Sequence, residues 1–558
     1  MPFSPSVLLL IVLLAMTSGV RAADLLVTNV NGYTLDSRGN LQHFQALLVD
    51  QGKVVATGKA VELAQRAGNA KVIDGHGHTL LPGLTDSHGH VMQLGRIRNQ
   101  IDLSQTTSLA QALAAVRAYA NDHPATTWIR GGGWNQELWK LGRFPTAQEL
   151  DTAVAKRPVW LERIDGHSGW ANNAAMKLAG ITRETRDPLS GRIERDATGN
   201  PTGVFVDAAA ALIDSKIPPP TASEQTAALD TALAELARLG ITSVDDPGID
   251  LATYQLYRQY ADAHKFTARI YALIHNTGTD FDIISEHGPL IDYGGDFLTV
   301  RGVKLFADGA LGSRGAAMLA SYSDDPGNNG TLFQTPAELT AMIGKALSKG
   351  YQVAIHAIGD RANREILDSF EAAYKLRGGE NLRNRVEHAQ IVSPQDFPRF
   401  VSLHLIASMQ PVHATSDMNM AEGRIGHQRI LGAYAWQRFL KQGTMIVGGS
   451  DFPFDSDNPF DGLHAAVTRQ DHHNLPVGGW YPAQNITLLQ AFRSYTLDAA
   501  WASYHERSLG TLEPGKWADF ILIDRDIFKN APQDLWKTRV LQTWVGGKPV
   551  YAARNRSI

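Results

Sequence analysis

Residues 81–90 read LPGLTDSHGH, an apolar run that ends in Asp86, His88 and His90 at alternate positions with only Ser87 and Gly89 between them. Side chains along a strand alternate faces, so these three project to one side. Two imidazoles and a carboxylate converging at a strand end read as part of a metal-ligand set. Asp86 lies one pleat deeper than the histidines, where orienting a ligand histidine or sealing the floor suits it better than binding metal.

Further along the chain, short β-branched or apolar runs recur: ITSVDD from Ile241, ARIYALI from Ala268, VRGVKLF from Val300, YQVAIHA from Tyr351, RVEHA from Arg385, LIASMQ from Leu405 and MIVGGSD from Met445. With the run into His88 they make eight strands. Helical segments lie between several of them, and two carry start signals: Thr221 with Glu224, and Thr335 followed by Pro336 and Glu338. The segments EQTAALDTALAELARLG and AELTAMIGKALSKG each end on glycine, a helix stop. Strands alternating with helices predict a parallel sheet, and eight of them predict an α/β fold, a closed (β/α)8 TIM-type barrel over residues 77–504.

Two regions break the period. Residues 23–76 (DLLVTNVNGYTLD, ALLVDQGKVVATG) and 505–558 (GTLEPGKWADFILID, VLQTWVGGKPVYA) read as hairpin-rich strands, so both chain ends are expected to build one small β-sandwich domain. Residues 95–220 form a long insertion after the first barrel strand and carry Trp128, Trp134, Trp139, Trp160 and Trp170. An insertion there stands over the active-site face, which makes it a substrate lid; the other reading is an accessory subdomain whose tryptophans are its core.

With 558 residues, 44% of them hydrophobic and 19% charged, the chain can bury a large core. A formal net charge of −4 without a Lys/Arg run gives no field to hold a nucleic acid. Val7 to Met16 (VLLLIVLLAM), with Val20 and Ala22 at a cleavage position, reads as a signal peptide over residues 1–22. No Lys or Arg precedes the run, so an uncleaved anchor is the alternative. Removal would leave no stable membrane span and a periplasmic or secreted protein. The absence of cysteine removes thiolate ligands, disulfides and thiol nucleophiles from consideration.

The chemistry gathers at strand ends: His88 and His90, Lys304, His356, His388 and Asp451. Any one of them alone has a structural explanation, but together they occupy the rim where a barrel places catalytic groups. Imidazoles and a carboxylate suit Zn or a similar divalent ion. Lys304 fits only if it loses its proton; a neutral amine beside metals can take up carbon dioxide as a carbamate, while an ion pair with Asp308 is the alternative.

DSHGH and LGTLEPGKWADFILID resemble the first-strand and C-terminal signatures of the amidohydrolase superfamily. VKLFADGALGSRGAAM, HAIGDRANREILD, RVEHAQIVSP, SMQPVHATSDM and GSDFP resemble its YtcJ-like, amidohydrolase-3 branch, which includes N-substituted formamide deformylases. The resemblance implies two divalent metals, with His88, His90 and Asp451 on one, His356 and His388 on the other, and carboxylated Lys304 as the bridge. It further implies a metal-bound hydroxide as nucleophile, with Asp451 as general base and then general acid. His167, Trp134, Asn135, Gln410 and His413 are candidate substrate contacts by the same resemblance, Gln410 having a buried structural bond as its alternative. Arg314, in ADGALGSRG, is a candidate for an anionic substrate group. The expected activity is hydrolysis of a C–N amide bond in a small N-acyl, N-formyl or acylated amino compound. A carbamate, lactone or cyclic amide hydrolase and a noncatalytic periplasmic binding or regulatory protein are the alternatives, and a homo-oligomer is compatible with each.

Overall fold

Eight parallel strands follow one another in chain order: β1 (Leu84–Asp86), β2 (Ile241–Ile249), β3 (Arg269–His275), β4 (Leu298–Phe306), β5 (Gln352–His356), β6 (Arg385–Glu387), β7 (Ile406–Met409) and β8 (Ile446–Gly448). They are seen in a computed structural model that describes residues 23–163, 168–188 and 191–554. The expected signal peptide at residues 1–22 lies outside the described residues. The ring closes past the ends of β1 and β8, where Ser87 N donates to Gly448 O (3.0 Å), Asp451 N to His88 O (2.7 Å) and His90 N to Phe452 O (2.9 Å). The residues that shut the barrel are thus neighbours of those expected to bind metal.

The helix signals act as the sequence suggests. Thr221 and Glu224 form a reciprocal capping box on helix Ala222–Leu239, which Gly240 ends in the left-handed conformation (φ 77°). Thr335 and Glu338 do the same for helix Pro336–Ser348, with Pro336 in its first turn. Each box satisfies two backbone donors that a helix start would otherwise strand.

β1 is shorter than the apolar run suggests. Thr79–Pro82 belongs to a second sheet, paired with Phe520–Ile523 and Asn31–Leu35. The chain then crosses to the barrel at Gly83, where a Cβ would meet Thr242 Oγ1 at 2.0 Å. Leu80, Phe520, Leu522 and Trp544 of this six-stranded sheet pack on Leu25, Val27 and Val49 of a four-stranded one, giving the sandwich built from both chain ends. Residues 101–207 contribute a separate six-stranded sheet. Its tryptophans are core: Trp134, Trp139 and Trp170 pack with Leu161, and Trp128 and Trp160 with Phe205. Of the two readings of those side chains, the packed subdomain is the one observed.

Barrel and sandwich are joined by a buried ion pair. Arg269 at the start of β3 donates Nε and Nη2 to the two oxygens of Asp519 (2.7 and 3.1 Å), and the residues are 1% and 6% exposed. Removing one member strands the other charge, so Asp519→Ala is expected to cost about 3–5 kcal/mol in denaturant unfolding, against less than about 0.5 kcal/mol for a substitution at a featureless surface position.

Candidate metal centre

His88, His388 and Asp451 each offer a ligand atom within 4.8 Å of the others. They arrive from the ends of β1, β6 and β8, and both His388 (φ 72°) and Asp451 (φ 62°) take the left-handed backbone region, a cost that the surrounding bonds sustain. His90 Nε2 lies 3.1 Å and His88 Nε2 3.5 Å from Asp451 Oδ1. Lys304 Nζ lies 3.1 Å from His88 Nε2. The His356 ring stands 4.6 Å from that of His388, centroid to centroid. All six residues expected at the site are therefore brought together at one end of the barrel.

The donors are in ligand form. Burial, with the Lys304 charge, pulls the His88 imidazole down to about 4 and His356 to about 3. Burial and His356 hold His388 well below the ordinary histidine range. Neutral rings keep a lone pair for a metal. For Asp451 burial favours the acid, but the bond from His90 and the imidazoles gathered around the carboxylate outweigh it and hold the carboxyl well below its usual range. His356 Nε2 is buried and has no hydrogen-bond partner among the described residues. That nitrogen stands 3.7 Å from Asp308 Oδ1, and its ring lies beside the neutral ring of His388, a setting in which a divalent cation would satisfy it.

Three residues that the sequence reading passes over fix this set. His88 Nδ1 is bonded to Glu387 Oε2, which turns Nε2 toward Asp451 and Lys304. Glu387 Oε1 accepts from Arg385 Nε (2.7 Å), and Arg385 Nη1 reaches Asp245 Oδ2 (2.5 Å) across the barrel interior. Burial opposes the Glu387 charge, but Arg385 and then His88 hold its carboxyl well below the usual range. RVEHA carried a signal for this: Arg385 and Glu387 share one face of a strand otherwise made for a core. On the other ring, His388 Nδ1 donates to Gln410 Oε1 (2.7 Å), so Gln410 makes the structural bond. Asp86 bonds to no imidazole ring; it accepts from His88 N (3.0 Å), Ser450 N (3.1 Å) and the Ser450 hydroxyl Oγ (2.6 Å) across the closing seam. Asp308 is occupied by the amides of Ala317, Ile358 and Gly359, so the Lys304–Asp308 ion pair is not formed.

A cavity of about 490 Å³ opens on the ring and includes His413, whose Nε2 is 3.7 Å from Asp451 Oδ2. The other expected substrate contacts lie elsewhere or undescribed. Trp134 donates Nε1 to Leu161 O (2.7 Å) inside the insertion, and Asn135 Oδ1 accepts from Glu137 N (3.1 Å). Arg314 gives Nε and Nη2 to Asp324 (3.1 and 2.9 Å). His167 lies outside the described residues.

Residues 71–551 match the profile of the Amidohydrolase family, Amidohydro_3. The chain belongs to this family. This amidohydrolase is 33% identical over 547 residues to the protein LONG AFTER FAR-RED 3 of Arabidopsis thaliana, covering 95% of this chain and 92% of that one. It is 28% identical to an N-substituted formamide deformylase of Arthrobacter pascens, over 94% and 97% of the two chains. A crystal structure of an uncharacterized metal-dependent hydrolase from Pyrococcus horikoshii superposes with a TM-score of 0.75 at 26% identity, covering 91% of this chain and 99% of that one. Family and site together make the amidohydrolase a metal-dependent hydrolase.

Because burial holds His88, His356 and His388 below the ordinary histidine range, acid should not strip the metal near neutrality. Metal content after equilibration should hold as pH falls through 6.5 and collapse nearer 4, where His88 takes up a proton; a loss centred at 6.5 would contradict the burial argument. Glu387→Gln is expected to weaken metal affinity by about 10–100-fold in competition with a chelator.

Proposed function

We propose that the amidohydrolase cleaves a C–N amide bond in a small N-acyl, N-formyl or acylated amino compound, with Asp451 as the proton carrier. The observation that carries this reading is the division of labour between the two Asp451 oxygens. Oδ1 is engaged by His90 and His88, while Oδ2 stands 3.7 Å from His413 Nε2, beyond hydrogen-bond range, in the wall of the cavity. Oδ2 can therefore accept a proton from the attacking water and hand it to the departing nitrogen, so that water's hydroxyl ends on the acyl carbon and its hydrogen on the amine. Divalent metal, when bound, supplies a water of lowered pKa and polarises the scissile carbonyl.

Two ions are proposed, with His88, His90 and Asp451 holding one, His356 and His388 the other, and carboxylated Lys304 between them. Support comes from the buried orphan Nε2 of His356 and from Lys304, whose amine burial pulls down to about 8 against the opposing charges of Glu387 and Asp451. That lowering raises the neutral fraction near neutral pH, the form that takes up carbon dioxide. His413, projecting from the helix after β7 (Pro411–Asp417), is proposed to orient the acyl group. Export to the periplasm or cell exterior is proposed from the apolar run at residues 7–16; among the described residues no helix is long and apolar enough to cross a membrane.

Asp451→Asn is expected to abolish hydrolysis across a panel of N-formyl and N-acyl amines while the protein keeps most of its metal; undiminished turnover would remove Asp451 from proton transfer. Lys304→Ala should lose metal and regain activity with added short carboxylates, a rescue that a plain ion-pairing lysine would not show.

A further inference from the structure

The cavity at the metal ring takes wall residues from two long connections. The one after β4 supplies Ala310, Leu311 and Gly312, and the one after β7 supplies His413, Ser416 and Asp417. Ala310, Leu311 and Gly312 carry no ligand atom in their side chains, so this wall shapes the cavity without entering the metal ring. Its turn is built from backbone bonds: Arg314 N donates to Leu311 O (3.0 Å), and Gly315 N and Ala316 N both donate to Ala310 O (3.0 Å each). Arg314 takes the left-handed region (φ 57°) and lays its guanidinium on Asp324, Nε to Oδ1 (3.1 Å) and Nη2 to Oδ2 (2.9 Å).

The two connections are tied together by helix Ala421–Ile430, which belongs to the β7 side. Arg424 on this helix donates Nη1 to Asp324 Oδ2 and Nη2 to Gly312 O (3.2 Å), so one guanidinium holds both the carboxylate and the cavity wall. Beside it Ser323 N donates to Arg424 O (2.8 Å), and Arg429 gives Nη1 to Ala320 O (2.7 Å) and Nη2 to Ser321 O (2.8 Å). The helix breaks at Gly426 (φ 78°), where a Cβ would meet Ser323 Oγ at 2.7 Å; helical continuity gives way to this close approach. A lone ion pair at a surface contributes little, because each partner is well served by water. A carboxylate shared by two planar forks, one of which also holds a backbone carbonyl, fixes distance and direction together.

We infer that Arg424 is a positioning residue for the reaction. Its guanidinium, shared between Asp324 and Gly312 O, sets the Ala310–Gly312 wall at the spacing from the β7 connection that substrate binding requires. Arg424 acts through Gly312 and not by touching substrate. The kinetic half of the inference rests on the proposed amide hydrolysis.

Arg424→Gln, which removes the fork and its charge, and Asp324→Asn are compared with the wild-type protein by hydrogen exchange and by steady-state kinetics. The amides of Arg314, Gly315 and Ala316 should exchange about 10-fold faster in each variant, while those of β4 and the metal content stay unchanged. With the N-formyl and N-acyl amines as substrates, KM should rise about 10-fold and kcat hold within about 2-fold. Arg424→Lys, a point charge without the fork, should recover only part of the loss. A wall that exchanges no faster in either variant overturns the inference, and so does a loss carried by kcat with KM unchanged; both leave amide hydrolysis in place. No turnover of any of these amides by the wild-type protein overturns the amide reading instead, and the exchange rates of the wall then decide the inference alone.

Discussion

A guanidinium has no business in the middle of a barrel unless every neighbour answers its charge, and Arg385 is answered on all sides. Its side chain is 1% exposed and bonds to Asp245 of β2, Glu387 of its own strand, Ser408 Oγ of β7 and the carbonyl of Ser87 past β1. Burying a charge is tolerable only with such pairing, so the positions of β1, β2, β6 and β7 around this one group are mutually constrained. The constraint passes directly to the metal centre: Glu387 spends one oxygen on Arg385 and the other on His88. The ring orientation of His88, and with it the nitrogen offered to a metal, follows from a charge pair deeper in the barrel.

The closing seam adds a second constraint. Asp86 clamps the backbones of His88 and Ser450, and the next hydrogen bond along the seam joins Asp451 N to His88 O. A Cβ at Gly449 would meet His88 N at 2.7 Å, so the two chain segments approach as closely as backbones can. Shutting the barrel and assembling His88 with Asp451 are therefore one event. Asp451 holds the left-handed backbone region at this seam, a conformation that aspartate tolerates better than most side chains.

The eight strand runs are legible in the sequence because each is local, and five of them carry a His, Lys or Asp of the candidate site at or near their ends. The capping boxes at Thr221 and Thr335 are legible for the same reason. What escaped the sequence is what depends on closure. His88 and Glu387 are 299 positions apart and meet only once the ring has formed. The limit of β1 was hidden because LPGLTD is apolar on both sides of Gly83, and only the approach of Thr242 shows where the chain changes sheets. Trp134 was ambiguous for a different reason: an aromatic residue serves a core or a lid equally well, and its bond to Leu161 O decides for the core.

The central claim is that His88, His388 and Asp451 gather divalent metal at one centre, the histidines through the ring nitrogens left by Glu387 and Gln410. Anomalous diffraction from crystals of the zinc-loaded protein tests it directly. The expected result is anomalous density in the ring, with a peak in contact with His88 Nε2 and the Asp451 carboxylate and a neighbouring peak in contact with His388 Nε2; a ring without a peak, or a His88 imidazole turned so that Nδ1 faces Asp451, would contradict it.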